Sequence, residues 1–318
     1  MLSELGHQVV LYDNLSNSNE DVLKKLAQIT GRRLTFIKGD VLDMELLKDS
    51  LGSHSIEAII HFAGLKSVGD SVEKPIDYFA NNVQGTLSLL QAMQSQQIKT
   101  LVFSSSATVY GHPQYLPLDE NHPTNAINPY GRSKLHIEEM LKDVASSDSE
   151  WRIACLRYFN PVGAHQSGLI GENPKGVPNN LMPYIAQVAA GQRFELRIFG
   201  DDYPTPDGTG VRDYIHVMDL AEGHAAALDF LAKTAGCHIL NLGTGKGFSV
   251  LEILRAFESA SGRKVPYRVI PRRPGDVAEC YANSKNASEF LRWSAHRTLS
   301  DMCDSAWHFQ QIITRSFL

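Results

Sequence analysis

Little in this chain points to an oxidising compartment, a membrane or a nucleic acid. Its 318 residues hold only four cysteines (Cys155, Cys237, Cys280 and Cys303), widely spaced and without a C-x-x-C pair, which argues against zinc ribbons and disulfide frameworks. Apolar runs are short, such as Val9-Val10-Leu11-Tyr12. A membrane-spanning helix needs roughly 20 residues, so no membrane is expected as a partner. No lysine or arginine run exceeds a pair, as in Lys24-Lys25, Arg32-Arg33 and Arg272-Arg273. With 30 basic against 35 acidic residues the formal charge is -5, so the electrostatic footprint of a nucleic-acid binder is missing too. The start, Met-Leu-Ser-Glu-Leu-Gly-His, has neither the basic residues nor the apolar core of a secretory signal. These absences predict a reducing, cytoplasmic location.

What is present is ordinary for a globular protein: 43% hydrophobic residues, 20% charged, and a mean hydropathy of -0.20. Length suggests one large or two modest domains. In the first half, short β-branched runs alternate with segments of helical period, the pattern of a parallel sheet with helices on its faces. Strands are expected at residues 8–12, 34–37, 56–62, 100–104 and 152–158, and helices at 46–51, 76–93 and 130–144. Each strand gives way at its carboxyl end to small or polar residues, the edge where ligands sit in open parallel sheets. After Pro161 the texture changes. Gly163, Gly168, Gly171, Pro174, Gly176 and Pro178 mark a long irregular connection and a domain boundary. Beyond it, helices are expected at 181–190, 217–233, 249–261 and 299–309, with strands at 194–199 and 237–242.

A sheet of this type usually opens with a strand and a glycine-rich turn whose amides hold a pyrophosphate at a helix amino end. No such turn precedes Asp13, although an acidic residue at the end of the second strand normally follows those glycines by about 20 positions. Residues 2–6 then read as the tail of the intervening helix with Gly6 as its terminal glycine, and the expectation is a chain missing its opening strand and turn. Standing alone, Asp13-Asn14 would be an ordinary turn. The one glycine cluster, Gly243-Thr244-Gly245-Lys246-Gly247, has the wrong spacing and no acidic strand end about 20 residues later, so a tight turn is the better reading than a phosphate cradle.

Tyr130 and Lys134 lie four residues apart at the start of a helical segment, so both project from one face toward the sheet edge. A fixed lysine charge would stabilise a phenolate and bring the tyrosine toward the working range of a general base. Ser106, just past a strand end, would hydrogen-bond the same substrate oxygen. Tyr-x-x-x-Lys alone is also what a half-buried tyrosine beside a solvated lysine looks like. The order of strand, serine turn and Pro129-Tyr130-Gly131-Arg132-Ser133-Lys134 favours chemistry.

With Phe103-Ser104-Ser105-Ser106-Ala107-Thr108-Val109-Tyr110-Gly111, the Tyr130/Lys134 pair, Arg157-Tyr158-Phe159-Asn160-Pro161-Val162-Gly163-Ala164, Asn179-Asn180-Leu181-Met182-Pro183-Tyr184-Ile185 and Val211-Arg212-Asp213-Tyr214-Ile215-His216-Val217, the sequence resembles the extended short-chain dehydrogenase/reductase family. Within that family it looks like the UDP-glucose 4-epimerases, from residue 1 to about residue 309. The resemblance implies a Rossmann-like, doubly wound α/β sheet with its first strand missing, residues 1–160 binding NAD and residues 161–318 mainly binding the UDP-sugar. NAD contacts would fall on Asp13, Asn14, Asp40, Val41, Phe62, Ala63, Gly64, Lys66, Asn81, Ser106, Tyr130, Lys134 and Phe159. The UDP-hexose would meet Ser106, Tyr130, Asn160, Asn180, Leu181, Arg197, Phe199, Arg212, Tyr214, Arg273, Asp276 and Cys280. Arg212 and Arg273 offer the planar forks that a diphosphate needs; outside the family match each would read as a surface charge.

The implied reaction is 4-epimerisation of UDP-glucose and UDP-galactose through a 4-keto intermediate by a homodimer. Cys280, where some members carry a bulky tyrosine, would leave room for an N-acetyl group, or else be a small packed thiol. Two other readings stay open at this point. A nucleotide-sugar 4,6-dehydratase would share the fold, but Ser106-Ala107-Thr108-Val109 lacks the carboxylates that elimination needs. A non-catalytic remnant that binds a UDP-sugar or an epimerase partner would follow from the missing amides.

Overall fold

A computed structural model describes residues 1–273 and 275–315. In chain order its elements are β1 (Val10–Asp13), α1 (Asp21–Thr30), β2 (Thr35–Lys38), α2 (Met44–Ser53), β3 (Ile59–His61), α3 (Val68–Glu73), α4 (Pro75–Tyr78), a π-helical turn (Phe79–Gln84), α5 (Gly85–Ser95), β4 (Thr100–Ser104), a 3-10 turn (Ala107–Tyr110), α6 (Pro129–Ser147), β5 (Arg152–Tyr158) and β6 (Asn160–Val162). They continue as α7 (Leu181–Ala189), β7 (Leu196–Phe199), β8 (Val211–His216), α8 (Val217–Leu231), β9 (Gly236–Leu242), β10 (Gly247–Ser249), α9 (Val250–Ser261), β11 (Tyr267–Ile270), β12 (Glu279–Cys280), α10 (Lys285–Leu291) and α11 (Leu299–Arg315).

β4 and β5 are near-continuous apolar runs because both their faces are covered. They form the middle of a parallel ladder β3-β4-β5-β9 with register Ile59↔Leu101, Phe103↔Cys155 and Leu156↔Leu240. Leu89, Met93, Ile137 and Leu141 from α5 and α6 pack with Leu101 and Phe103 on one face. Leu220, Leu231 and Leu291 from α8 and α10 pack with Val102 and Leu156 on the other. The fold is thus Rossmann-like and doubly wound, as expected. β1 and β2 pair in parallel as a separate two-stranded ladder, Val10↔Thr35 through Asp13↔Lys38. Met1 to Gly6 form one hydrogen-bonded turn, Leu5 N donating to Met1 O at 3.0 Å, with Gly6 at φ +91°, a conformation costly for any side chain with a Cβ.

The chain does not stay in a second unit after residue 160. α8 and β9 return to complete the first sheet, while β6, β8, β10 and β12 make a small mixed sheet and β7 pairs β11. α7, α9 and α11 close a second core around Ile185, Ile253, Phe257 and Met302. Residues 76–93 are not one regular helix. A π-helical turn at Phe79–Gln84 inserts an extra residue per turn, a feature that recurs at functional sites.

The expected tight turn at 243–247 is present, and its amides are occupied. The buried Asp213 carboxylate accepts from Thr244 N (2.9 Å), Gly245 N (3.0 Å), Ala282 N (3.1 Å) and Thr244 Oγ1 (2.6 Å). The glycine cluster is an anion cradle whose anion is the protein's own.

Two histidines in the first unit are buried neutral. Burial pushes His61 down to about 3 and His224 down to about 4, from an ordinary 6.5. Each folded pKa lies below the unfolded one, so the unfolded chain takes up protons first as pH falls below 6.5 and stability is lost down to the folded values. At pH 5 the expected loss is about 2 kcal/mol per histidine. Urea unfolding between pH 7.5 and 5 checks this, and His224→Gln should remove about half of the slope. A pH-independent midpoint would contradict it.

Candidate active site

Local backbone features fix α6, which carries the candidate residues Tyr130 and Lys134. Asn128 caps α6, its Oδ1 accepting from Gly131 N at 2.8 Å, and Pro129 takes the first helical position, where no N–H is needed. A Cβ on Gly131 would come 2.9 Å from Thr108 O, so only glycine lets the start of α6 lie against the turn that follows β4. That contact brings Tyr130 beside Ser106. Ser106 caps the 3-10 turn, its Oγ accepting from Thr108 N at 3.2 Å. One helical turn on, buried Lys134 donates from Nζ to Ser104 O at 2.8 Å, and the ammonium lies 4.9 Å from the Phe103 ring centroid.

The electrostatics correct one expectation. Burial raises the Tyr130 phenol above its ordinary value, opposed by the neighbouring Ser106 hydroxyl, and burial lowers Lys134 to about 8. Lys134 sits 6.0 Å from the Tyr130 ring centroid and is turned to a carbonyl, so its charge does not bring the tyrosine down in this state. Desolvation disfavours the phenolate and the ammonium alike.

The other cofactor-side residues line the carboxyl ends of the parallel strands. Asp13 ends β1, and its Oδ1 accepts from Leu15 N at 2.7 Å. Its second oxygen has no hydrogen-bond partner among the described residues. Asn14 Nδ2 donates to Asp40 Oδ2 at 2.8 Å, which links the ends of β1 and β2. Val41 touches the start of α5 at Gly85. Phe62 (56% exposed), Ala63 and Gly64 follow β3, and a Cβ on Gly64 would come 3.1 Å from Asn82 Oδ1 and 3.7 Å from Lys134 Nζ. Lys66 pairs with Glu172 at 3.6 Å. Asn81 is half-buried in the π-helical turn. Phe159 differs from the rest, for its ring is buried with Val109, Tyr110 and Leu118, leaving only backbone at the strand edge.

The substrate-side residues come from the second unit. Asn160 is exposed at the start of β6, opposite Tyr214 of β8. Asn180 precedes α7 and donates to Glu172 Oε1 at 2.5 Å, and Leu181 packs on the second core. Arg197 is exposed on β7. Arg273 lies flat on Phe199, 3.8 Å from its centroid. Arg212 is half-buried, Nη2 on Asp276 Oδ1 at 2.7 Å and Nη1 on Val211 O at 2.8 Å. Cys280 stands opposite Arg212 across β8 and β12, its thiol pushed up to about 11 by burial. Tyr214 is buried in the second core, with its phenol pushed up to about 12 by burial.

Several residues were not singled out from sequence. Buried Asn82, next to the expected Asn81, ties the turn after β3 to the catalytic helix. Its Oδ1 accepts from Leu65 N (2.7 Å), and its Nδ2 donates to Leu65 O and Ser133 Oγ, both at 3.0 Å. Glu172 joins Lys66 to Asn180 across the cleft. Glu138 and Arg157 form a fully buried pair behind the site. Glu138 at i+4 from Lys134, on the same helix face, was the available signal; for Asn82 the π-helical turn hid it.

The model of the family described as GDP-mannose 4,6 dehydratase matches residues 1–306. The UDP-glucose 4-epimerase of Mus musculus is 54% identical over 317 residues, covering 98% of this chain and 91% of that protein. That of Bacillus subtilis is 53% identical over 305 residues, covering 96% and 90%. The crystal structure of the Stenotrophomonas maltophilia UDP-glucose 4-epimerase, with bound NAD and formylated UDP-arabinopyranose, superposes at a TM-score of 0.97, with 50% identity and coverage of 99% and 94%. The Bifidobacterium longum enzyme, in complex with NAD+ and UDP, gives 0.96 at 50% identity over the same shares. With Tyr130, Lys134 and Ser106 assembled at the sheet edge and these likenesses running over nearly its whole length, the chain belongs to the UDP-glucose 4-epimerase family of extended short-chain dehydrogenases/reductases.

Proposed function

We propose that this chain is an isomerase that interconverts UDP-glucose and UDP-galactose by 4-epimerisation with NAD as its resident cofactor. The observation that carries the reading is the Ser106, Tyr130 and Lys134 group at the carboxyl edge of the parallel sheet, together with Arg212 and Arg273, which lie near enough to feel each other's charge. The donor set fits a dinucleotide at its ribose ends: Asp13 keeps a free carboxylate oxygen, and Gly64 keeps space beside Lys134. Asp13, Asn14, Asp40 and Val41 would take the adenosine end, and Phe62, Ala63, Gly64, Lys66, Asn81, Lys134 and the Phe159 backbone the nicotinamide end. NAD, when bound there, supplies the hydride acceptor at the sugar C4, the donor on return, and a positive charge beside the phenol.

Tyr130 removes the proton of the 4-hydroxyl and later gives it back, and Ser106 Oγ hydrogen-bonds the same oxygen. Arg212 and Arg273 would hold the diphosphate, with Asp276 beside them orienting Arg212. Asn160, Asn180, Leu181, Arg197 and Phe199 frame the remaining UDP-hexose, with Tyr214 contributing only its β8 backbone because its ring is buried in the second core. A firm grip on UDP with few polar groups on the hexose lets the 4-keto sugar turn its other face to the cofactor.

A dehydratase is not favoured. Elimination needs an acid and a base beside the sugar, and the turn Ser106-Ala107-Thr108-Val109 has no carboxylate. A non-catalytic remnant is not favoured either, since the three catalytic side chains are assembled. No helix among the described residues is long and apolar enough to cross a membrane. A cytoplasmic location accords with four free thiols, and a homodimer with the exposed Val72 (64%), Ile76 (79%) and Leu87 (44%) of α3, α4 and α5.

Cys280 packs against the cluster of Val109, Tyr110 and Leu118 opposite Arg212, and we extend the reading to UDP-N-acetylhexosamines because a thiol there takes less room than a phenol ring. The purified protein should release NAD on denaturation and equilibrate UDP-galactose with UDP-glucose. Cys280→Tyr is expected to lower kcat/KM for UDP-N-acetylgalactosamine by about 10- to 100-fold while sparing UDP-galactose. No turnover of UDP-galactose by NAD-replete protein would overturn the main reading, and no turnover of the N-acetyl substrate by wild type would overturn the wider one.

A further inference from the structure

Behind the catalytic edge lies a set of buried polar groups that the mechanism above leaves unused. Glu138, one helical turn beyond Lys134, is fully buried. Its Oε1 accepts from Ser105 Oγ at 2.5 Å and from Arg157 Nε at 2.9 Å, and its Oε2 accepts from Arg157 Nη2 at 2.5 Å. The Arg157 guanidinium stacks 4.8 Å from the Tyr110 centroid, and Tyr110 Oη donates to Asn241 Oδ1 at 2.7 Å. The chain of contacts thus runs from β9 through the 3-10 turn and β5 to α6, and ends on the residue between Ser104, which receives Lys134, and Ser106, which adjoins Tyr130. Burying an ion pair is expensive and is weak evidence for stability, so its place directly under both catalytic contacts asks for another reason.

We propose that Glu138 is a positioning residue of the epimerisation: through Ser105 it fixes the turn that carries Ser104 and Ser106, and it stands one helical turn beyond Lys134 on the same face of α6. The assignment rests on the epimerase reading and deepens it. The charged and titratable groups around Lys134 are few. Tyr130 and Glu138 lie on its own helix, His61 faces it from β3, Tyr158 of β5 bonds the Ser104 side chain beside it, and Arg157 of β5 is paired with Glu138. Burial lowers Lys134, and Glu138 is the group that opposes this. A displaced turn would move Ser106 and Tyr130 apart from the reacting oxygen, and misplacement of this kind costs about 10- to 100-fold in rate.

Wild-type turnover of UDP-galactose by the NAD-bound enzyme tests the epimerase reading by itself, and variant-to-wild-type ratios test this one. Glu138→Gln should lower kcat about 10- to 100-fold at a KM for UDP-galactose within about twofold of wild type, and move the alkaline limb of the kcat profile to lower pH, because Lys134 then loses its proton earlier. An unchanged profile with kcat within twofold of wild type would overturn the proposal, as would a kcat loss with no movement of the limb, the mark of a purely structural role. Ser105→Ala, which leaves the ion pair intact, decides the matter if Glu138→Gln does not fold. A kcat several-fold lower at unchanged KM supports the assignment, and wild-type kcat refutes it.

Discussion

Tyr130→Phe is expected to lower turnover of UDP-galactose by about a thousandfold while leaving KM and bound NAD nearly unchanged. The phenol is the one group in the site placed to take and return the 4-hydroxyl proton. Ser106 already accepts from Thr108 N, and Lys134 is committed to the Ser104 carbonyl. Removing one oxygen deletes proton transfer and little else, because the ring stays and the diphosphate is held by Arg212 and Arg273 in the other unit. The loss corresponds to about 4 kcal/mol of transition-state stabilisation. Steady-state kinetics on folded, NAD-retaining variant protein measure it. Activity above a tenth of wild type would mean that another group moves the proton.

Arg157→Met is expected to destabilise the fold by about 3–5 kcal/mol. Both side chains of the pair are shut off from water, Arg157 at 2% and Glu138 at 0% exposure. The variant leaves a carboxylate buried with only Ser105 as a partner, and the penalty is mostly that uncompensated charge rather than the attraction lost. The double variant Glu138→Leu/Arg157→Met should recover much of the loss, since two apolar groups of similar volume replace two ions. It should not recover kcat if Glu138 positions the catalytic turn. Equilibrium unfolding of the two variants beside wild type provides the measurement, and a single variant as stable as wild type would contradict the buried-pair account.

What could be read from the chain divides along a physical line. β4 and β5 lie at the residues expected of them, Thr100–Ser104 and Arg152–Tyr158, because strands buried on both faces must be apolar throughout. β1, β2 and β3 fell within a few residues, their half-exposed ends carrying weaker signals. α1, α3 and α10 were not among the expected helices. α3 and α10 have only six or seven residues, too few for a helical period to show, and α10 is recognised as a helix by its packing of Ala287 and Leu291 on the first sheet. Length does not account for α1, whose ten residues contribute no fully buried side chain to the core. Periodicity also reads 76–93 as one helix, since a single wide turn shifts the phase of the pattern without ending it.

The site shows the same division. Tyr130, Lys134 and Ser106 were legible because a helix start, a four-residue spacing and a strand end are local features. The role of Asn82 was not, because its partners Leu65 and Ser133 lie 17 and 51 positions away. Nor was the fate of the glycine cluster, whose amides turn inward onto Asp213, 31 and 32 positions earlier.

By itself, the sequence determined the alternating architecture, the spacing of the proposed catalytic trio, and apolar runs too short for a membrane-spanning helix. All of these follow from side-chain type and spacing of a few residues. Only the tertiary structure decided which groups are shut off from water and what then stands beside them. That is why burial shifts both Tyr130 and Lys134 away from their ions, why Glu172 joins Lys66 to Asn180, and why Glu138 lies under the turn that carries Ser106. Desolvation depends on every neighbour at once, and those neighbours come from distant parts of the chain.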